Sequence, residues 1–216
     1  MNKNMFRKIL LLVFCGMAVI NSLTSAHAAN LLEGRDYTVL KTPVKNAPVV
    51  VEFFSFYCPP CAAFNNRYFV SQAVEKILPA GTKLEKYHVG TMGPMGKELT
   101  DAWSVAKVLG VEDRVELPLF IATQINRSIK TENSIRQVFI EAGISGHDFD
   151  AAKNSIAVRA LTARQLEAVK TFGVTGTPSF YVNGKYLIHN GAIHPTSEQD
   201  YGKSFADVVR TLLNVR

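Results

Sequence analysis

The sequence predicts an α/β fold in which a block of helices interrupts a sheet-forming chain, and three observations carry that expectation. The run Val49-Val50-Val51-Glu52-Phe53-Phe54-Ser55-Phe56 is almost continuously apolar and rich in β-branched and aromatic residues, the pattern of a strand buried on both faces. Near the other end, Ser179-Phe180-Tyr181-Val182 and Lys185-Tyr186-Leu187-Ile188 flank Asn183-Gly184, a dipeptide that tolerates the positive φ angles of a tight hairpin. Between them, apolar residues recur at helical spacing. With 216 residues, 47% hydrophobic and 19% charged, the chain can bury a sizeable core as one or two domains. Disorder, collagen-like repeats and coiled-coil rods are poor readings.

Taken in order, the first 28 residues read as a secretory signal. Lys3, Arg7 and Lys8 precede the apolar run Ile9 to Ile20, and Ala26-His27-Ala28 is a small-x-small cleavage pattern that starts the mature chain at Ala29. The run is short for a membrane-spanning helix, and Cys15 sits inside it rather than after it, which argues against a lipid anchor. Removing three cations and no acids halves the formal charge of +6, leaving a surplus too weak and scattered to argue for nucleic acid.

The apolar strand leads into a helix expected from Pro59 to Leu78. Phe64, Phe69, Ala73, Val74 and Ile77 would form its buried stripe, and Pro79-Ala80-Gly81 would stop it. Proline is tolerated in a first helical turn, whose amides lack intrahelical partners. The central helices are expected to bury Leu99, Ala102, Trp103, Ala106 and Leu109, then Ile135, Val138 and Phe139, then Val158, Leu161, Leu166 and Val169. Trp103 reads as core rather than as a ligand platform.

The mature chain keeps only Cys58 and Cys61, as Cys58-Pro59-Pro60-Cys61. Zinc would need about four ligands, yet there is no second cysteine pair and His88, His147, His189 and His194 are scattered. Haem attachment would need histidine after the second cysteine, where Ala62 stands. A purely structural disulfide closing so short a loop would stabilise little. A reactive pair remains the better reading. Cys58 at the helix N-terminus would face the positive end of the dipole, which favours its thiolate, and Cys61 one turn deeper is placed to resolve a mixed disulfide.

The strand-CPPC-helix unit, Thr177-Pro178 before a strand, and the export signal together resemble the thioredoxin fold, and specifically the DsbA family of periplasmic thiol oxidases. Lys86-Tyr87-His88-Val89, Leu109-Gly110-Val111-Glu112-Asp113 and Val182-Asn183-Gly184-Lys185-Tyr186 also resemble segments of that family, so the likeness covers essentially the whole mature chain. It implies a discontinuous thioredoxin-like domain, residues 29–90 and 166–216, with an inserted helical domain at 91–165. It also implies that Thr177-Pro178 is a cis-proline loop facing the dithiol and pairing with an extended substrate bound to Cys58. Glu52 and Lys86 would be a buried charged pair managing the proton of Cys61. From the residues alone, a carboxylate inside an apolar strand is costly unless paired or functional, with a surface-facing edge-strand Glu as the alternative.

The family's usual dipeptide carries histidine where Pro60 stands. Neither Pro59 nor Pro60 has an amide hydrogen to offer the Cys58 sulfur, which implies a weaker oxidant than the usual member. The resemblance implies a periplasmic thiol:disulfide oxidoreductase that donates its disulfide to reduced exported polypeptides. It would need no cofactor, and a DsbB-like, quinone-linked membrane protein would recharge it. Monomer is the default state. A disulfide isomerase or reductase is an alternative, although only a short segment precedes the active-site strand, too little for the separate dimerisation domain of isomerases. A non-catalytic chaperone-like binder is the other.

Overall fold

The structure, a computed structural model, describes residues 31–215. The signal segment, its cleavage site and Cys15 lie outside the described residues. The chain begins with β1 (Tyr37–Val39) and β2 (Val50–Phe54), followed by helices α1 (Pro59–Asn66) and α2 (Val70–Glu75) and by β3 (Leu84–His88). Five helices come next: α3 (Gly96–Leu109), α4 (Glu112–Phe120), α5 (Glu132–Glu141), α6 (Gly146–Lys153) and α7 (Ile156–Thr171), with a π-helical turn at Ile121–Ile125 after α4. The hairpin β4 (Ser179–Val182) and β5 (Tyr186–Ile188) and the helix α8 (Tyr201–Leu213) complete it.

The sheet order is β1-β5-β4-β2-β3, so β2 is central, parallel to β3 and antiparallel to β4. All five residues of β2 are buried. Successive side chains on a strand point to opposite faces. Val50 therefore joins Phe180, Val182 and Phe205 of α8 on one face, while Val51 and Phe53 join Tyr87, Tyr181 and Phe172 on the other. Phe54 and Phe56 enter a third cluster with Trp103, Leu119, Phe120, Phe139 and both cysteines, under the five helices. The hairpin turns at Asn183 (φ 53) and Gly184 (φ 61), and Lys185 N donates to Val182 O at 3.0 Å. Two consecutive positive φ values are what a type I′ turn requires.

Three expectations need correcting. The helix expected over 59–78 is two helices, because Arg67 N and Tyr68 N both donate to Ala63 O and Phe69 adopts φ 51. Phe69 is 57% exposed instead of joining the core. The hydrophobic period survives this break because Phe64 and Val74 still face the same α8 cluster. The strand expected through Phe56 ends at Phe54, where Ser55 turns the chain: its carbonyl accepts from Cys58 N (3.0 Å) and its Oγ from Tyr57 N (3.2 Å). Leu166 of α7 is 37% exposed; the helix buries Val158 as expected, but its other buried positions are the polar Thr162 and Gln165. Polar side chains can occupy that face because Gln165 Nε2 donates to Ser104 Oγ (2.7 Å) and Ser104 Oγ lies 2.8 Å from Thr162 Oγ1. Trp103 is core: 1% exposed, with Nε1 donating to Lys86 O at 3.0 Å. Helix α7 runs unbroken across residue 166.

Candidate active site

Strand β2 delivers the chain to the Ser55 turn, which places Cys58 as the N-cap of α1 with extended backbone (φ −95, ψ 108) and Pro59 in the first turn. Cys58 and Cys61 form a disulfide with Cα atoms 5.2 Å apart. Cys61 N donates to Cys58 Sγ at 3.2 Å. Pro59 and Pro60 are exposed and offer no amide, while both cysteines are buried. One helix N-terminus and one N–H are thus aimed at the outer sulfur.

The Thr177–Pro178 peptide is cis, and Thr177 O lies 3.3 Å from Cys58 Sγ. The loop is tied on two sides: Thr177 Oγ1 donates to Met92 Sδ at 3.4 Å, and Asn190 Nδ2 donates to Pro178 O at 2.7 Å. Gly93 beside Met92 has φ +71, and a Cβ there would run into the Tyr57 ring. A larger residue would therefore push on the turn that carries Cys58.

Glu52 and Lys86 face each other in register across β2 and β3. Glu52 is 1% exposed; Lys86 Nζ lies 3.4 Å from its Oε2, and Ser71 Oγ of α2 donates to the same oxygen at 3.0 Å. This excludes the surface-facing, edge-strand reading of Glu52. A third member was not expected: Glu116 of α4, also buried, accepts from Lys86 Nζ. Burial, the largest influence, pulls the Lys86 amine down, yet Glu52 and Glu116 together hold it above the ordinary lysine value. Burial pushes the Glu116 carboxyl up, against the pull of Lys86.

The profile of the DSBA-like thioredoxin domain family matches residues 49–201. The chain belongs to the DSBA-like thioredoxin family. It is 47% identical over 189 residues to thiol:disulfide interchange protein DsbA of Yersinia pestis, covering 88% of this chain and 91% of that protein. It is 46% identical over 190 residues to the Salmonella typhimurium protein of the same name, covering 88% and 92%. The crystal structure of the disulfide oxidoreductase DsbA from Proteus mirabilis superposes with TM-score 0.83 at 47% identity, over 85% of this chain and 97% of that one. A cysteine-to-serine variant of the Proteus protein, solved with a non-covalently bound peptide, matches with TM-score 0.82 at 46% identity, over 86% and 99%. This DsbA-family chain is a disulfide oxidoreductase with the thioredoxin fold and inserted helices. Among the described residues, no group of His, Cys, Asp or Glu is arranged to hold a metal ion.

Two further groups reach the DsbA-type dithiol turn. His88, at the end of β3, is completely buried; its Nε2 accepts from Phe56 N (3.1 Å) and its Nδ1 pairs with Thr100 Oγ1 (2.9 Å), which donates onward to Gly96 O. The acceptor role of Nε2 sets the neutral tautomer with the proton on Nδ1. Gln124 donates to carbonyls on the same turn. Neither was legible: His88 showed no metal-type spacing, and Gln124 showed no periodic signal. Glu116 left one trace, a lone acid within the apolar stretch Val115 to Leu119.

Burial pushes the His88 imidazole down to about 3. An unfolded histidine titrates near ~6.5, so below that pH the unfolded chain takes up a proton the folded protein refuses, and stability falls with falling pH. Between pH 6.5 and pH 4.5 this group should cost about 2–3 kcal/mol at ~1.4 kcal/mol per unit. Guanidinium unfolding of the oxidised protein across this interval should show the slope, and a His88→Gln variant should be correspondingly flatter. Parallel slopes would contradict the assignment.

Proposed function

We propose that this protein donates the Cys58–Cys61 disulfide to reduced, newly exported polypeptides. The observation that supports it best is the placement of the Cys58 sulfur: at the N-cap of α1 and 3.3 Å from the carbonyl of Thr177 in the cis-proline loop. An extended substrate strand hydrogen-bonds to the backbone at Thr177 and Pro178, presenting its thiolate to Cys58 Sγ. Attack breaks the Sγ–Sγ bond, and Cys61 leaves and takes up a proton. The substrate's second thiolate then attacks its own sulfur in the mixed disulfide and expels Cys58 as a thiolate, which α1 stabilises. In the reverse direction Cys61 resolves the mixed disulfide. Glu52 and Lys86 manage the proton of Cys61.

Each turnover leaves the dithiol reduced, so a DsbB-like, quinone-linked membrane protein must recharge it, and the chain itself carries no cofactor. We read residues 1–28 as the cleaved signal that delivers it to the periplasm. Residues 29–90 and 166–216 form the thioredoxin-like domain around the inserted 91–165, and the protein acts as a monomer. No helix among the described residues is long and apolar enough to cross a membrane. The peptide held by the Proteus mirabilis relative supports a peptide groove here.

The test is to mix oxidised protein with a peptide carrying a single cysteine, quench with acid and map the adduct. A mixed disulfide on Cys58 is expected. An adduct on Cys61, or none, would overturn the reading.

Pro59 and Pro60 tune the potential by withholding amides. Pro60→His restores a donor near the Cys58 sulfur, and a hydrogen bond to a charged group contributes about 1.5–3 kcal/mol. At ~30 mV per 1.4 kcal/mol, the variant should be more oxidising by roughly 30–60 mV in a glutathione equilibrium. An unchanged or more reducing potential would sink this.

A further inference from the structure

The turn that carries the dithiol has its donors and acceptors almost fully assigned. Phe56 N donates to His88, Tyr57 N to Ser55 Oγ, and Cys58 N to Ser55 O. Two carbonyls of the same turn are held by one side chain: Gln124 Nε2 donates to Phe56 O at 2.8 Å and to Cys58 O at 3.1 Å. The second is the carbonyl on which α1 closes, for it also accepts from Cys61 N (3.1 Å) and Ala62 N (3.2 Å).

Gln124 is aimed by an irregular element. It sits in the π-helical turn Ile121–Ile125, where Asn126 N donates to Ile121 O at 2.9 Å, just after an interior proline, Pro118, in α4. A π-turn widens the helix and redirects a side chain, and such turns recur at functional sites. This one also leaves Thr123 Oγ1 buried without a hydrogen-bond partner.

We propose that Gln124 is a positioning residue for the redox chemistry of Cys58: by clamping the Phe56 and Cys58 carbonyls it holds the first turn of α1 so that the Cys61 amide stays on the Cys58 sulfur. The contact matters most after reduction. When a substrate dithiol gives two electrons to the disulfide, the Sγ–Sγ bond breaks and a disulfide forms on the substrate. Cys61 keeps one substrate proton, the other goes to solvent, and Cys58 is left as a thiolate. Residues 59 and 60 have no amide to offer it, so the stabilising backbone contact rests on Cys61 N, 3.2 Å away, and on the orientation of the first helical turn. Fraying that turn weakens both. The inference rests on the disulfide-donating reading above and adds the residue through which the inserted helices set its driving force.

The test uses Gln124→Met, which keeps the length and apolar stem but removes the amide, and Gln124→Glu, which sets carboxylate oxygens against the two carbonyls. Three quantities are read: the equilibrium constant with glutathione, the thiolate titration of Cys58 in the reduced protein, and the unfolding midpoint of the oxidised protein. Gln124→Met should shift the glutathione equilibrium about three- to tenfold toward the oxidised protein, the range of one hydrogen bond, with the thiolate titration moved up and the oxidised midpoint nearly unchanged. Gln124→Glu should shift it further. An equilibrium within twofold of wild type in both variants would overturn the proposal, whatever the midpoint does. Should wild type fail to transfer its disulfide while the variants still shift the equilibrium, the functional reading fails and the positioning role stands.

Discussion

A Cys58→Ser variant should lose disulfide transfer to a reduced dithiol peptide completely, leaving only the rate of air oxidation. The physical reason is that exchange needs a sulfur electrophile open to the substrate, and the outer sulfur is the one placed beside Thr177. Cys61 lies one helical turn deeper in α1, away from Thr177, and with Cys58 replaced the thiol left behind has no partner sulfur to form a disulfide with. Chromatography of the peptide, sampled over time after mixing, gives the rate. Binding of a cysteine-free version of the peptide, followed by fluorescence anisotropy, should persist in Cys58→Ser, since the cis-proline loop remains. Residual catalytic transfer by the variant would contradict the assignment of Cys58. A wild type that binds but does not transfer would instead favour a chaperone-like binder.

Lys86→Met should destabilise the oxidised protein by about 3–5 kcal/mol near neutral pH, the cost of leaving buried charge without its counter-ion. Lys86 Nζ serves both Glu52 and Glu116, and among the described contacts only the Ser71 hydroxyl remains to donate to Glu52. The pH dependence separates this from lost packing. Burial already raises the Glu116 carboxyl, and Lys86 is the group that opposes the rise. A carboxyl raised in the folded state binds its proton more tightly there than in the unfolded chain. Its penalty is therefore absent well below the ordinary value of ~4.3 and grows as pH rises through the folded value. Guanidinium unfolding at pH 5 and pH 8 should show a larger deficit at pH 8, partly recovered by adding Glu116→Gln. Equal deficits at both pH values would mean that Lys86 contributes packing over the Phe54 ring, 5.1 Å below its amine, rather than charge.

How much of this was legible follows from which forces are local. The central strand, the hairpin and the stripes of α3 and α5 could be read because alternation and helical periodicity are properties of neighbouring residues. Asn183-Gly184 announced its turn for the same reason. The split between α1 and α2 could not be read, since two short helices facing one core keep a single hydrophobic period across the break. Leu166 misled because α7 turns a polar stripe inward. Thr162 and Gln165 are acceptable in a core only when Ser104 of α3 and the His88 amide of β3 supply their hydrogen bonds.

By itself, then, the sequence determined the α/β class, the position of the dithiol at a helix start, and the resemblance that brings Glu52, Lys86 and Thr177-Pro178 into one account. Only the tertiary structure decided what surrounds them. Glu116 and Gln124 come from α4 and the π-turn, far along the chain from Cys58, and Asn190 comes from beyond the hairpin. Their partners are a lysine amine and three backbone carbonyls. Periodicity reports burial, whereas hydrogen-bond partnership depends on distances across the folded interior, where an unpaired charge or carbonyl is costly enough to select a partner from any part of the chain.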